Sequence, residues 1–201
     1  MASGYVGKGI RVHKKNLKEN PVTRNVKPDG SAPEQEKAEY ANIQIDESRS
    51  IVDQIDGLNG SQREMAAMIE EEFLAAGLSR SVAAAAVVNA KAESELNPEA
   101  MGDSGHSVGL FQLHDRGGGH DMSVEERADA RTNIRTILER EVLGKMGSTL
   151  RERAESGASV SELAAIFSRD IERPRDRNGA MRKRAQMAAQ LFGGGSDSQA
   201  A

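Results

Sequence analysis

The chain has 201 residues, of which 37% are hydrophobic and 29% charged, and its formal net charge is −4. This balance excludes the class of nucleic-acid-binding proteins whose affinity depends on overall positive charge, so no nucleic-acid partner is expected. The sequence contains no cysteine, which rules out a disulfide framework and a thiolate metal site. It has no apolar run of about 18 residues and no hydrophobic N-terminal signal region, so we expect neither membrane insertion nor general secretion.

Residues 1–58 are predicted to form an extended N-terminal arm. Basic residues concentrate before Pro28 and acidic residues after it, while large apolar residues are sparse. Such a segment buries too little apolar surface to offset the entropy lost on ordering. We therefore expect a partner, or the chain's own domain, to order the arm. The helical spacing of apolar residues at 51–58 predicts one short helix there.

Residues 59–192 are predicted to form a helical domain, followed by a flexible C-terminal tail at residues 193–201. Five amphipathic segments begin at helix-capping residues or end near glycine or proline. They are a helix from a Ser61–Glu64 capping box to Gly77, a central helix over 82–92 capped by Ser79 or Ser81, a long helix from a Ser123–Glu126 box to Gly144, a helix from a Ser159–Glu162 box to Pro174, and a last helix over 180–192. The clearest strand signal lies at residues 108–113, which are predicted to form a short hairpin edge. The predicted fold class is mainly α with a minor β component.

One carboxylate stands out by its position in the sequence. Glu93 lies where the alanine-rich central helix runs into Asn97-Pro98, and a glycine-interrupted segment, residues 102–112, follows it. We expect that segment to return close beneath the helix end. An apolar wall around a carboxyl group disfavours the ionised form, and the carbonyl end of a helix acts in the same direction. The sequence therefore predicts that Glu93 is a general acid set against an apolar wall.

Each candidate also has a purely structural interpretation. A lone glutamate at a helix end is commonly solvated, and a Gly-Asp pair such as the one at Asp103 also forms ordinary turns. His114-Asp115 and His120-Asp121 flank three glycines and could suggest a metal site. Glycines fix no ligand geometry, however, so we expect no metal and no cofactor.

Two motifs follow each other around Glu93. The first is Ala-Glu-Ser-x-Leu-Asn-Pro at residues 92–98, and the second is Gly-Asp-x-Gly-x-Ser-x-Gly-Leu-Phe-Gln at residues 102–112. An Asn-Ile step at Asn133 and the stretch Ala-Ile-Phe-Ser-Arg-Asp-Ile-Glu-Arg-Pro at residues 165–174 come later. Together these motifs resemble the phage tail lysozyme family, within the wider group of goose-type lysozymes and soluble lytic transglycosylases. The resemblance implies a helical, lysozyme-like fold that acts on the glycan strand of peptidoglycan.

The resemblance also assigns roles to individual residues. Glu93 matches the family's catalytic glutamate, which protonates the glycosidic oxygen, and Asp103 matches a position near the attacking water. The other matches support the acid or line the sugar-binding cleft: Ser94, Ser107, Gly109, Leu110, Phe111, Gln112 and Asp115. Gln112 is expected to hydrogen-bond the sugars. Asp115 lies one place beyond the second aspartate of goose-type enzymes, so the match is not complete.

The resemblance implies a virion-associated muramidase that opens the cell wall during phage genome entry. A lytic transglycosylase of the same fold stays open as an alternative, because the substrate's own hydroxyl can replace a second carboxylate. An inactive plug of the tail or head-tail region and an endolysin released at lysis also stay open. The expected partners are peptidoglycan strands and, through residues 1–58, other virion proteins. The expected location is the virion tail or particle interior, with action in the host wall or periplasm.

Overall fold

The computed structural model describes residues 40–196, with side chains up to residue 194; residues 1–39 of the predicted arm and 197–201 of the predicted tail lie outside the described residues. The described chain contains seven α-helices, none of which is long and apolar enough to cross a membrane. They are α1 (Gly60–Ala75), α2 (Arg80–Ser94), α3 (Val124–Ala128), α4 (Ala130–Ile137), α5 (Ser148–Glu155), α6 (Val160–Phe167) and α7 (Arg177–Phe192). The predicted mainly α fold class is confirmed.

A three-stranded antiparallel sheet follows α2. Its strands, in spatial order, are β1 (Met101–Gly102), β2 (Ser107–Val108) and β3 (Leu113–His114). Val108 lies opposite Met101 on one side and opposite Leu113 on the other. The sequence predicts a short hairpin edge at residues 108–113, and β2 and β3 do pair as a hairpin there. The chain reverses between them, where Gly109 and Gln112 adopt positive φ angles of 90° and 47°.

Helix α2 lies at the centre of the core. Residues 82–90 of this helix are all buried. Their small alanine and valine side chains let α1, α6 and α7 approach it from several sides. Phe73 from α1 and Phe167 from α6 are among the largest fully buried side chains around it. Glu93 therefore lies at the end of a helix that is otherwise enclosed by the fold.

The N-terminal caps of three helices are those predicted from the sequence, and the cap of α1 is a different residue. The caps predicted for α2, α3 and α6 are present: Ser79, Ser123 and Ser159. The Ser61 cap predicted for α1 is wrong, because Asn59 caps this helix and forms the capping box with Gln62. Both the predicted Ser61–Glu64 pair and the observed Asn59–Gln62 pair fit the capping-box pattern, in which a polar cap residue is followed three residues later by Glu or Gln. The Gln62 side chain also donates a 3.0 Å hydrogen bond to the carbonyl of Glu95, which ties the earlier start to the end of α2.

The long helix predicted between Ser123 and Gly144 is divided in two. Asp129 leaves the helical conformation, with φ −68° and ψ 117°, and so ends α3. Its side chain then caps α4 by accepting a 2.8 Å hydrogen bond from the backbone N–H of Thr132. Asp favours such capping positions over helix interiors because its carboxylate competes for backbone donors.

Two helices continue into wider π-helical turns. Helix α4 runs into such a turn at Leu138–Val142, and α6 runs into one at Ser168–Glu172. Arg173 then adopts a left-handed φ of 54° and ends the second turn just before Pro174, as predicted. A π-turn widens the helix and often occurs at functional sites. Here it makes Glu172 the last residue of a turn that packs against α7.

Residues 40–58, the last part of the predicted arm, pack on this domain. Ile51 lies in a 3₁₀ turn and is fully buried in the core. The Glu47 carboxylate accepts hydrogen bonds of 2.9 Å from the backbone N–H groups of Arg80 and Ser81 at the start of α2. These N–H groups have no partner inside the helix, and a negative charge is favourable at this end of the helix dipole.

Candidate active site

Glu93 projects from the last turn of α2 and is not set against an apolar wall. The helix ends at Ser94, and its C-cap residue Glu95 has a left-handed φ of 55°. The Glu93 side chain is 29% exposed, and its Oε1 accepts a hydrogen bond from the guanidinium of Arg184 in an ion pair. The predicted apolar wall is therefore wrong, because α7 places an arginine beside this carboxylate.

Four side chains form the Glu93 cluster: Asn89, Glu93, Glu172 and Arg184. One guanidinium nitrogen of Arg184 donates to both Glu93 and Glu172, the second contact being 3.1 Å. Its Nε donates to Asn89 Oδ1 at 2.9 Å. Asn89 in turn donates to the carbonyl of Ala164 in α6 at 3.1 Å. The cluster thus joins α2, α6 with its π-turn, and α7 through two carboxyl groups and one arginine.

Glu172 is the buried carboxyl of this cluster. Its side chain is 9% exposed, and its Oε1 is buried without a hydrogen-bond partner. Burial raises the pKa of Glu172 to about 7; Arg184 opposes that shift, and the charge of Glu93 adds to it. Two carboxylates beside one arginine would leave an excess negative charge in a site of low dielectric. The cluster is therefore able to hold a proton near neutral pH.

The segment after β2 returns beneath the end of α2, as predicted. The Ser94 hydroxyl donates a 2.9 Å hydrogen bond to the carbonyl of Leu110. The ring of Phe111 stacks on that of Phe167 from α6, with centroids 5.9 Å apart. Ser94 thus links the helix that carries Glu93 to a backbone segment of the candidate cleft.

Asn133 fixes the backbone of this segment from α4. This residue is fully buried and accepts a 3.0 Å hydrogen bond from the N–H of Phe111, while its amide nitrogen donates to the carbonyls of Val108 and Arg127. Gly109 lies against the same groups, and a Cβ there would stand 2.2 Å from the Arg127 carbonyl. Only glycine allows both the positive φ and this close approach.

The remaining polar candidates lie in β2 and in the turns that join the strands of the sheet. Asp103 is exposed, and its Oδ2 accepts a 2.7 Å hydrogen bond from the Ser107 hydroxyl. The Gln112 amide donates to the carbonyls of Ala100 and Gly109, at 3.0 and 2.9 Å, so both contacts stabilise the turn itself. The structure thus brings Asp103 and Ser107 together. Among the described residues, Asp103 makes no hydrogen bond or ion pair with the Glu93 cluster.

Asp115 belongs to a group of histidines. Its Oδ2 lies 2.7 Å from Nδ1 of His106, its Oδ1 lies 3.3 Å from Nδ1 of His114, and the two imidazole rings stack. The hydrogen bond with His106 holds the pKa of Asp115 below its usual value. Asp121, beside His120, pairs with Arg140 instead. Within residues 40–196, no three His, Cys, Asp or Glu side chains are arranged to hold a metal ion.

A family model for the phage tail lysozymes matches residues 64–193, which is more than half of the chain. The chain belongs to the phage tail lysozyme family. Comparison with curated proteins and with solved structures found no match. Membership in this family, together with the helical domain and its small sheet, agrees with a lysozyme-like fold. It indicates an enzyme that acts on peptidoglycan and is associated with a phage particle.

Three members of the Glu93 cluster in this phage tail lysozyme domain were not predicted as site residues: Glu172, which lies in the motif at residues 165–174, and Asn89 and Arg184, which lie in no motif. Asn89 interrupts the apolar run of α2, where it is fully buried. Arg184 lies at helical spacing from Met181 and Ala188, which face the core from α7. In both cases the available signal was a polar side chain on a face that is otherwise apolar, which implies a buried partner.

Proposed function

We propose that the chain is a virion-associated glycosidase that cleaves the glycan strand of peptidoglycan, with Glu93 as its general acid. The observation that carries this proposal is the difference in exposure within the Glu93 cluster. The Glu93 side chain is 29% exposed, whereas those of Glu172 and Arg184 are 9% and 11% exposed. Glu93 is thus the carboxyl group of the cluster that a substrate can reach, while the other members hold it from behind.

In the proposed reaction, protonated Glu93 donates its proton to the glycosidic oxygen as the bond from that oxygen to C1 breaks. The leaving sugar departs as an alcohol, and positive charge develops at C1 and the ring oxygen. Water then adds to C1 and gives up a proton to a base. Asp103 is the proposed base, because its carboxyl group is exposed and oriented by the Ser107 hydroxyl. Two carboxyl groups in these roles constitute a hydrolase.

A lytic transglycosylase is the second candidate, and one contact favours it. The carboxyl group that the structure joins to Glu93 through Arg184 is Glu172, which is too buried to hold an attacking water. A transglycosylase needs no such group. The muramoyl hydroxyl would attack C1 and close a 1,6-anhydro ring, and Glu93, ionised after its first step, would accept the proton of that hydroxyl.

The candidate cleft residues have proposed roles in binding the sugars. The backbone at Gly109 and Leu110 lies beneath the end of α2, where glycine allows a substrate to approach closely. Both observed donor contacts of the Gln112 amide serve the turn, which leaves Oε1 to accept a hydrogen bond from a sugar. Ser107, Phe111 and Asp115 complete the proposed cleft, and Ser94 supports its floor.

We also propose that the N-terminal arm binds other virion proteins and thereby carries the domain to the cell wall, from the tail or the particle interior. The charge of the arm changes sign near Pro28, which would allow one chain segment to engage two surfaces of opposite charge. This role concerns delivery. It is separate from the chemistry of the Glu93 cluster.

A Glu93→Gln variant tests the catalytic proposal. We expect it to fold normally and to clear purified peptidoglycan at least about a hundredfold more slowly than the wild-type chain, because an amide cannot donate the proton. Glu99→Gln is the matched control, since Glu99 is exposed and lies six residues later in the chain. It should clear at the wild-type rate. Equal clearing by wild type and Glu93→Gln would refute the assignment.

A further inference from the structure

We propose that Glu172 is a positioning residue for Glu93: through the guanidinium that both carboxyl groups share, it fixes the direction of the Glu93 carboxyl and supplies a second negative charge that competes for Arg184. This inference rests on the proposed function of Glu93 as the acid. It assigns Glu172 no contact with substrate.

The geometry of Arg184 supports this role. A single guanidinium nitrogen donates to Glu93 and, at 3.1 Å, to Glu172, and Nε is fixed by Asn89 at 2.9 Å. Arg184 therefore cannot turn towards Glu93 without changing its contact with Glu172. The position of the guanidinium, and with it the direction of the Glu93 carboxyl, depends on all three partners.

The charged and polar groups that face Glu172 come from three elements. Helix α2 contributes Glu93, α7 contributes Arg184, and the π-turn contributes the neutral hydroxyl of Ser168. Arg169, in the same turn, pairs with Asp170 at 2.7 Å. Arg184 alone would stabilise the ionised form of Glu93 and oppose proton donation. A negative charge on Glu172 offsets part of that attraction.

The buried end of Glu172 provides an independent reason for this assignment. Its Oε1 and the oxygen of Ser168 are both buried without a hydrogen-bond partner. An ionised oxygen in that position is costly, because it has left water without gaining a partner. Burial accordingly raises the pKa of Glu172 to about 7, although the contact with the Ser168 hydroxyl acts in the opposite direction. Glu172 therefore changes its charge in the range where Glu93 must act.

Carboxyl-carbon NMR of the folded, full-length chain without substrate tests the coupling directly. The wild-type Glu93 signal should change in two steps, one of them near pH 7, because it also reports the ionisation of Glu172. In Glu172→Gln the step near pH 7 should be absent and one step should remain. Glu162→Gln is the control, since Glu162 pairs with Arg153 outside the cluster, and it should keep both steps.

The rate of peptidoglycan cleavage across the same pH range gives the functional readout. In Glu172→Gln the alkaline fall in kcat/KM should move to lower pH, because the negative charge of Glu172 no longer offsets Arg184, while Glu162→Gln should follow the wild type. The proposal would be overturned if Glu172→Gln lowered kcat/KM by the same factor at every pH. A one-step Glu93 titration in the wild type would also overturn it.

Two further outcomes separate this inference from the proposed function. If wild type leaves peptidoglycan intact, the proposed function fails, and the NMR titration still decides whether Glu172 acts on Glu93. If Glu172→Gln does not fold, the wild-type NMR titration still tests the coupling between Glu172 and Glu93, because it requires no variant. Glu172→Asp then serves as the second variant, and it should retain two steps because it keeps the charge.

Discussion

Glu172 carries a carboxyl group inside the protein, and its ionisation affects the stability of the fold. Its pKa rises from an ordinary 4.5 to about 7, chiefly because the side chain is buried. The folded state therefore holds this proton more tightly than the unfolded state. The stabilisation that protonation provides is complete below about pH 4.5 and is lost as the pH rises through about 7.

A Glu172→Gln variant should remove this dependence on pH. Relative to wild type, we expect its free energy of unfolding to increase by roughly 3 kcal/mol between about pH 4.5 and about pH 7.5. Urea denaturation of both proteins at the two pH values measures the difference. Other carboxyl groups also make stability depend on pH, such as Glu72 and Asp121, whose pKa values are lowered by Arg135 and Arg140. Their contributions to the free energy of unfolding cancel in this comparison, because both proteins contain them. A constant difference between the two proteins would contradict the buried position of Glu172.

Site residues that belong to a short local motif could be predicted from the sequence. Gly109 is an example, because a glycine-interrupted motif already indicates a close backbone approach. Arg184 is the opposite case, since its distance in sequence from Glu93 hides their contact. Its inward position on α7 shows that it needs a buried partner, but only the packing of α7 on α2 selects Glu93 and Glu172.

At the scale of elements, residues 40–58 connect the predicted arm to the core. Glu70 of α1 accepts hydrogen bonds from the Ser50 hydroxyl at 2.7 Å and from the N–H of Ile51 at 3.0 Å, and it also pairs with Arg80 of α2. This segment therefore contacts the C-terminal half of α1 and, through Glu70 and Arg80, is linked to the start of α2. A truncation that tests virion binding by the arm should retain residues 40–58.

An Ile51→Ala variant tests whether this segment belongs to the core. Ile51 is fully buried, so the lost burial and the resulting cavity should lower the free energy of unfolding by about 3 kcal/mol. Val52→Ala is the matched control on the same turn, where the side chain is only partly buried, and it should cost less than about 1 kcal/mol. Denaturant unfolding checks both variants. Equal effects of the two substitutions would show that the segment does not contribute to the core as described.

Helix starts were easier to predict than helix continuity. A serine cap followed by a glutamate is a local signal, and it located the start of α3 at Ser123. The break at Asp129 and the π-turn that ends in Glu172 depend on tertiary packing. At Asp129 both a continued helix and a new cap satisfy local preferences, and the contacts of α3 and α4 with the sheet and α1 decide between them.

At the scale of the whole molecule, the fold brings three helices to one polar cluster in a largely apolar interior. Helix α2 supplies Glu93 and Asn89, the π-turn after α6 supplies Glu172, and α7 supplies Arg184. The helical class followed from amphipathic spacing, whereas the lysozyme-like fold was implied by the family resemblance of the motifs around Glu93. The convergence of the three helices could not be read from the sequence, because it depends on which faces pack together.

Mass spectrometry of the soluble fragments released from purified peptidoglycan tests the central claim most directly. The wild-type chain should release fragments cut within the glycan strand, and Glu93→Gln should release almost none. A reducing sugar end would identify the hydrolase, and a 1,6-anhydro end would identify the transglycosylase. Fragments with intact glycan strands and cut peptides, or equal glycan cleavage by Glu93→Gln, would contradict the account.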